Sequence, residues 1–128
     1  MNDKSVGYFW YNRGLVKSRL DQVQEAVEDY KEAISKLSEP DYLYQAHFNQ
    51  GICLRRLGPL YLDKSIEHLK KAVEMKNDRA SAHNNLGLSY FEKGEFEDAL
   101  IHYHKAIGLE PTAVHYNNKG LANYHINR

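Results

Sequence analysis

Residues Ala80 to Pro111 read ASAHNNLGLSYFEKGEFEDALIHYHKAIGLEP. In the first half, Leu86 and Gly87 precede Tyr90 by four and three residues, the spacing of neighbours on one helix face. In the second half, Ala99, Tyr103 and Ala106 stand at offsets of four and seven, again one helical stripe. Gly94 interrupts between them and Pro111 closes the second run. The stretch therefore predicts two helices joined by a tight turn, with small residues that let one settle closely on the other.

The arrangement recurs in both directions. Gly14, Gly51, Gly87 and Gly120 lie in WYNRGL, HFNQGI, HNNLGL and YNNKGL, at intervals of 37, 36 and 33 residues. A glycine inside a helix costs about 1 kcal/mol relative to alanine. Four in register imply that a neighbouring helix comes close at each. Ala26, Tyr30 and Ala33 repeat the second stripe, as do Ser65, Leu69 and Ala72. The lag from glycine to stripe is 12 residues in the first and third units and 14 in the second, where Gly58-Pro59-Leu60-Tyr61 absorbs the difference. The predicted helices run over about 4–20, 23–37, 42–57, 62–76, 79–93, 96–109 and 112–126. Asp41, Asp78 and Thr112 are the expected N-caps. Pro40 falls late in the first unit, which predicts a longer linker there. No strand-like alternation competes.

This order of Trp, Leu-Gly, Tyr, Ala, aromatic, Ala and Pro over about 34 residues resembles the tetratricopeptide repeat (TPR). The resemblance implies an all-α, right-handed α-solenoid of antiparallel helix pairs, with about 3.5 repeats and seven helices. It implies one domain over 1–128, with repeats at about 7–40, 44–79 and 80–112 and a half repeat at 113–128. Stacked units bury each other's faces, so the half repeat is expected to belong to a longer array. Alternatively, helix 112–126 pairs with another chain through Tyr116 and Ile126, giving a weak homo-oligomer.

Seventeen basic and seventeen acidic residues cancel, so no overall field favours nucleic acid or an anionic membrane. No apolar run approaches the roughly 20 residues of a membrane span, and MNDKSVGYFWYNRG is too polar for a signal peptide. The expected location is cytoplasmic, with nuclear or ciliary sites open. One cysteine, Cys53, forms no internal disulfide and no cysteine-rich zinc site. The seven histidines form no HExxH string, and no GxGxxG or GxxxxGK[ST] loop occurs. His47 and His83 share a slot with Trp10 and Tyr116, four residues before each glycine, which favours packing over metal binding. No cofactor, metal or catalysis is expected.

Two residues before each glycine stands an asparagine: Asn12, Asn49, Asn85 and Asn118. One residue after it stands Leu15, Ile52, Leu88 or Leu121, so each asparagine has a branched apolar neighbour on its own face. An asparagine amide both donates and accepts. A row of them can pair with an extended peptide main chain without reading its side chains. The pattern resembles the asparagine ladder of O-GlcNAc transferase, kinesin light chain and the Leu-Gly-Asn repeat adaptors, which implies a peptide-binding concave groove. The bland alternative is that these amides join stacked helices. Flanking positions would set specificity: Tyr8, Gln45, Ser81 and Val114 one turn before, and Arg19, Arg56, Glu92 and His125 two turns after. Tyr11, Phe48, Phe91, Tyr124 and Arg55 lie on adjacent columns. Tyr8, Tyr11, Phe48, Arg19 and Arg56 make the N-terminal half aromatic and basic, suited to a partner segment with apolar and acidic side chains. Arg55 and Arg56 read equally well as a solvated helix end favoured by the dipole.

TPR co-chaperones grip a C-terminal Glu-Glu-Val-Asp through a carboxylate clamp. Its slots here hold Tyr11, Leu15, Ser81 and Asn85, or, one unit later, Phe48, Ile52, Val114 and Asn118. Asn49 alone fits, which argues against that clamp. The expected function is a non-enzymatic protein-binding module, the alternative a structural array that self-associates or stacks in a larger complex.

Overall fold

The computed structural model describes residues 4–128. Its α-helices are α1 (Lys4–Arg19), α2 (Val23–Lys36), α3 (Pro40–Leu57), α4 (Leu62–Met75), α5 (Ala80–Lys93), α6 (Phe96–Leu109) and α7 (Ala113–Ile126), with a 3-10 turn at Pro59–Tyr61 before α4. Each helix packs on the next, and short turns make neighbours antiparallel. On one side α3 also touches α5, and α5 touches α7. Odd-numbered helices therefore line the inner, more crowded face, and α2, α4 and α6 form the outer one. This is the expected all-α solenoid.

The turns within pairs share one device. Asp21, Gly58 and Gly94 each stand seven residues after a unit's glycine and each has positive φ, at 64°, 120° and 89°. At Gly94 the left-handed residue caps α5, its N–H donating to Phe91 O at 3.0 Å. Asp21 takes the same region with a side chain, which costs roughly 1 kcal/mol relative to glycine.

The register glycines meet large side chains of the paired helix. A Cβ on Gly14, Gly51 or Gly87 would lie 2.9 Å from Tyr30 Cε1, 2.4 Å from Leu69 Cγ and 2.6 Å from Tyr103 Cε1 respectively. Tyr30, Leu69 and Tyr103 are buried and form the middle of the three small-large-small stripes. Gly120 meets nothing within 4 Å.

Two departures from expectation occur near Pro40. The extra residues there lengthen α3 to 18 residues and leave only residues 37–39 as the connection. Proline at the first helical position has its φ already set and no N–H to lose, so the helix starts there. Asp41 thus lies inside the first turn and pairs with Lys76 Nζ at 2.7 Å. Arg79, rather than Asp78, precedes α5. Thr112 caps α7 as expected, accepting from His115 N at 3.3 Å.

Polar groups also fasten helices. Ser65 Oγ donates to Gly51 O at 2.6 Å and lies 2.8 Å from Ser89 Oγ, tying α3, α4 and α5 together in the core. Asp29, 2% exposed, accepts from Arg13 Nε and Nη2, both at 2.9 Å, with Lys17 Nζ 3.8 Å away. Arg13→Ala leaves the buried carboxylate with one distant cation. It should lower unfolding stability, read as a lower midpoint in urea unfolding. Arg13→Lys should recover part, since an ammonium cannot make the bidentate pair.

Candidate functional site: the inner groove

Asn49, Asn85 and Asn118 stand half-buried along α3, α5 and α7, and Asn12 is exposed on α1. Three of the amides already touch protein. Burial raises the pKa of Tyr11, and the Asn49 amide beside its hydroxyl works against that rise. Asn85 Nδ2 donates to Ser81 O at 2.8 Å, and its Oδ1 accepts from Arg55 Nη1 at 3.1 Å. Asn118 Nδ2 donates to Asn84 Oδ1 at 2.9 Å, joining α7 to α5. Asn85 and Asn118 thus help to fasten neighbouring repeats. Each amide has two N–H donors, so those of Asn85 and Asn118 retain one beyond these bonds.

Arg55 is central and easily overlooked in the sequence. Besides Asn85 Oδ1 it reaches Asn85 O at 3.2 Å and Glu92 Oε2 at 3.5 Å. Its side chain is only 14% exposed. Burial pulls its pKa down, while Glu92 opposes that shift. Placement on an adjacent column was its only signal, because nothing local indicates that its guanidinium crosses to the next repeat.

Two recesses flank this network. One of about 340 Å³ lies between the first half of α3 and the start of α5, where Gln45, Phe48, Arg79 and Ser81 contribute. A cleft of about 40 Å³ is formed by Leu88, Phe91, Tyr103, Asn118 and Leu121. Leu88, Asn118 and Leu121 of the expected site are thereby brought together. Ile52 and Leu15 are half-buried on their own helices.

The N-terminal end differs from expectation. Tyr11 is 7% exposed, edge-on to Tyr42 with centroids 5.6 Å apart, so it belongs to the core and does not select ligand side chains. Tyr8 donates to Glu39 Oε2, which raises its pKa to about 12, and its ring lies 4.7 Å from that of Tyr42. Tyr42, in the first turn of α3, packs on both tyrosines. Arg56 turns back to the α1–α2 turn, pairing with Asp21 Oδ1 and reaching Ser18 Oγ at 3.5 Å. Arg19 is exposed.

Four of the histidines, His47, His68, His83 and His102, occupy the seams between paired helices. His47 Nδ1 lies 2.9 Å from His68 Nδ1, so one ring donates and the other accepts. His102 stacks between His83 and Tyr90, with centroids 5.8 and 5.7 Å away. Burial pushes the pKa of His47 and of His102 down to about 4 and lowers that of His68. The unfolded chain, with histidine near 6.5, binds more protons below that pH. Stability is therefore full above about 6.5 and declines as pH falls toward 4. Each of His47 and His102 contributes at most about 3 kcal/mol to that loss. Thermal melts from pH 7 to 4 should show it, and His102→Phe should flatten the decline.

Family models for the tetratricopeptide repeat match residues 8–35 and 80–112, and a TPR repeat model matches 62–94. The chain belongs to the tetratricopeptide repeat family. The middle match spans α4 and α5 and so lies half a unit out of register with the other two, which suits a solenoid whose successive helix turns are alike. Among curated proteins, the photosystem I assembly protein Ycf3 of Prochlorococcus marinus subsp. pastoris is 27% identical over 96 residues, covering 71% of this chain and 51% of that protein. The chain thus spans about half the length of the curated relative it matches. Among solved structures, the first TPR of Spaghetti (RPAP3) bound to an HSP90 peptide superposes with a TM-score of 0.87, at 16% identity, over 98% of this chain and 97% of that one. YrrB, described as a TPR protein with an unusual peptide-binding site, gives 0.76 at 28% identity over 95% of this chain and 57% of that one. No α-helix among the described residues is long and apolar enough to cross a membrane.

Proposed function

We propose that this TPR chain is a non-enzymatic interaction module that holds an extended segment of a partner protein along its inner face. The observation that carries the reading is the asparagine column. All four units place an asparagine three residues before a branched apolar residue, and Asn118 lines one cleft with Leu88 and Leu121. Peptide main-chain groups pair with Asn49, Asn85 and Asn118, and Asn12 extends the row. Ile52, Leu88 and Leu121 contact side chains. The bonds to Arg55, Ser81 and Asn84 hold Asn85 and Asn118 in place before binding, which reduces the ordering cost. Phe48 and the recess beside it select one side chain, and exposed Arg19 favours acidic residues near α1.

The peptide-bound Spaghetti structure and YrrB support a peptide ligand in general terms. The clamp slots hold Tyr11, Leu15, Ser81 and Asn85, without a basic residue, so a C-terminal Glu-Glu-Val-Asp peptide is not the expected ligand. The test is selection from a random peptide library, followed by chemical-shift mapping with the selected peptides. Shifts should centre on Phe48, Asn49, Ile52, Asn85 and Leu88, and an MEEVD peptide should cause none. Shifts confined to α2, α4 and α6 would refute the reading.

Self-association through α7 is the second reading. Its support is that Val114, Tyr116, Leu121 and Tyr124 are exposed there beside the open Gly120. Sedimentation at several concentrations decides it: a strictly monomeric chain counts against it.

A further inference from the structure

The outer face carries a recess that the peptide reading leaves unused. It lies between α2 and α4 with α3 contributing from between them, and it encloses about 220 Å³. Val27, Ile34 and Leu54 supply apolar wall, and Tyr61 and His68 supply rings. Gln50 also lines it, although this residue is only 3% exposed.

The amide of Gln50 is half satisfied. Its Nε2 donates to Val27 O at 3.1 Å. That bond fixes the orientation, because the flipped amide would set two oxygens against each other. Gln50 Oε1 is therefore an acceptor, and among the described residues it has no hydrogen-bond partner. Buried acceptors are rarely left unpaired, so the recess asks for a donor carried on an apolar body.

Size narrows the occupant. Sites for whole small molecules usually span about 300–1,000 Å³, and this one is smaller. An aromatic side chain with its own N–H or O–H combines a flat apolar body with one donor, and such groups find a partner when buried. The surroundings say what carries it. Lys31 on α2 and Lys64 on α4 are exposed at the recess, against one acid, Glu28. The surplus positive charge suits acidic residues flanking the aromatic one in a chain.

We propose that this outer recess receives one tryptophan or tyrosine side chain of a partner protein, its ring donor bonded to Gln50 Oε1 and its acidic neighbours facing Lys31 and Lys64. This surface is separate from the inner groove, so one TPR chain engages two segments at once.

The test is an NMR titration of the full chain with three probes: N-acetyl-tryptophanamide, its 1-methylindole analogue without the N–H, and a capped Asp-Trp-Glu peptide. Shifts should cluster on Val27, Ile34, Gln50 and Leu54. The amide should bind at about 1 mM, as befits so small a ligand. Loss of the donor should weaken binding about fivefold or more. The acidic peptide should bind more tightly than the amide, and Lys31→Glu with Lys64→Glu should abolish that advantage. Asn49→Ala with Asn85→Ala should leave all three affinities unchanged. Equal binding of the methylated probe, shifts away from Gln50, or no shifts at about 10 mM would overturn the site. An acidic peptide no tighter than the bare amide would overturn the protein partner.

Discussion

Gly51→Val should lower stability by about 3 kcal/mol, while Gly120→Ala should raise it by up to about 1 kcal/mol. The two positions carry the same repeat slot and opposite surroundings. At Gly51 a Cβ would lie 2.4 Å from Leu69 Cγ and 2.8 Å from its Cδ2. Leu69 is 0% exposed, so it has no solvent side to retreat to. Forcing a branched side chain into that contact must push α3 off α4. Helix propensity works the other way, but valine recovers only about half of the roughly 1 kcal/mol that glycine gives up to alanine. Packing therefore wins at Gly51. At Gly120 nothing lies within 4 Å of the added carbon, and propensity acts alone. For a domain of this size the first change should drop the melting temperature by about 10 °C and the second should raise it by a few degrees. Thermal denaturation followed by circular dichroism measures both. Destabilisation at both sites would mean that a second helix covers Gly120 in solution.

The same contrast shows why the fold was readable from sequence. Glycines in register, alanine stripes and turn residues are local signals, and each reports a steric fact about the paired helix. The helix boundaries follow them to within two residues. Failures came where two local signals competed. At Pro40, lateness in the repeat suggested linker, but proline's suitability for the first helical turn prevailed. Tyr42 follows in the first turn of that helix, and its ring packs on Tyr11 and takes it out of the groove. The site was less readable because its bonds cross from one repeat to the next. Arg55 and Asn85 are 30 residues apart and meet at 3.1 Å, while the adjacent Arg56 pairs backwards with Asp21. Sequence spacing places both arginines at a helix end and cannot say which way each long side chain turns.

Asn49→Ala combined with Asn85→Ala should weaken peptide binding about a hundredfold and leave the fold in place. Each amide offers a peptide unit a donor and an acceptor, and removing one strands a peptide group that has already lost its water. A loss of about 1.4 kcal/mol per amide gives that factor. The cost to folding is smaller. Arg55 loses Asn85 Oδ1 but keeps Asn85 O at 3.2 Å and Glu92 at 3.5 Å. Tyr11 loses the neighbouring Asn49 amide while staying packed against Tyr42. About 1–2 kcal/mol of stability should go, measurable by urea unfolding beside calorimetric binding. The pattern across ligands is the sharper criterion. Main-chain pairing ignores side chains, so the double variant should weaken several unrelated groove peptides by similar factors. Phe48→Ala, acting on one side chain, should change their ranking. If the double variant binds within about twofold of the unaltered chain, the column serves only as a fastener between repeats. The bond from Asn118 to Asn84 would then be its model, and recognition would rest on Phe48, Ile52 and Leu88.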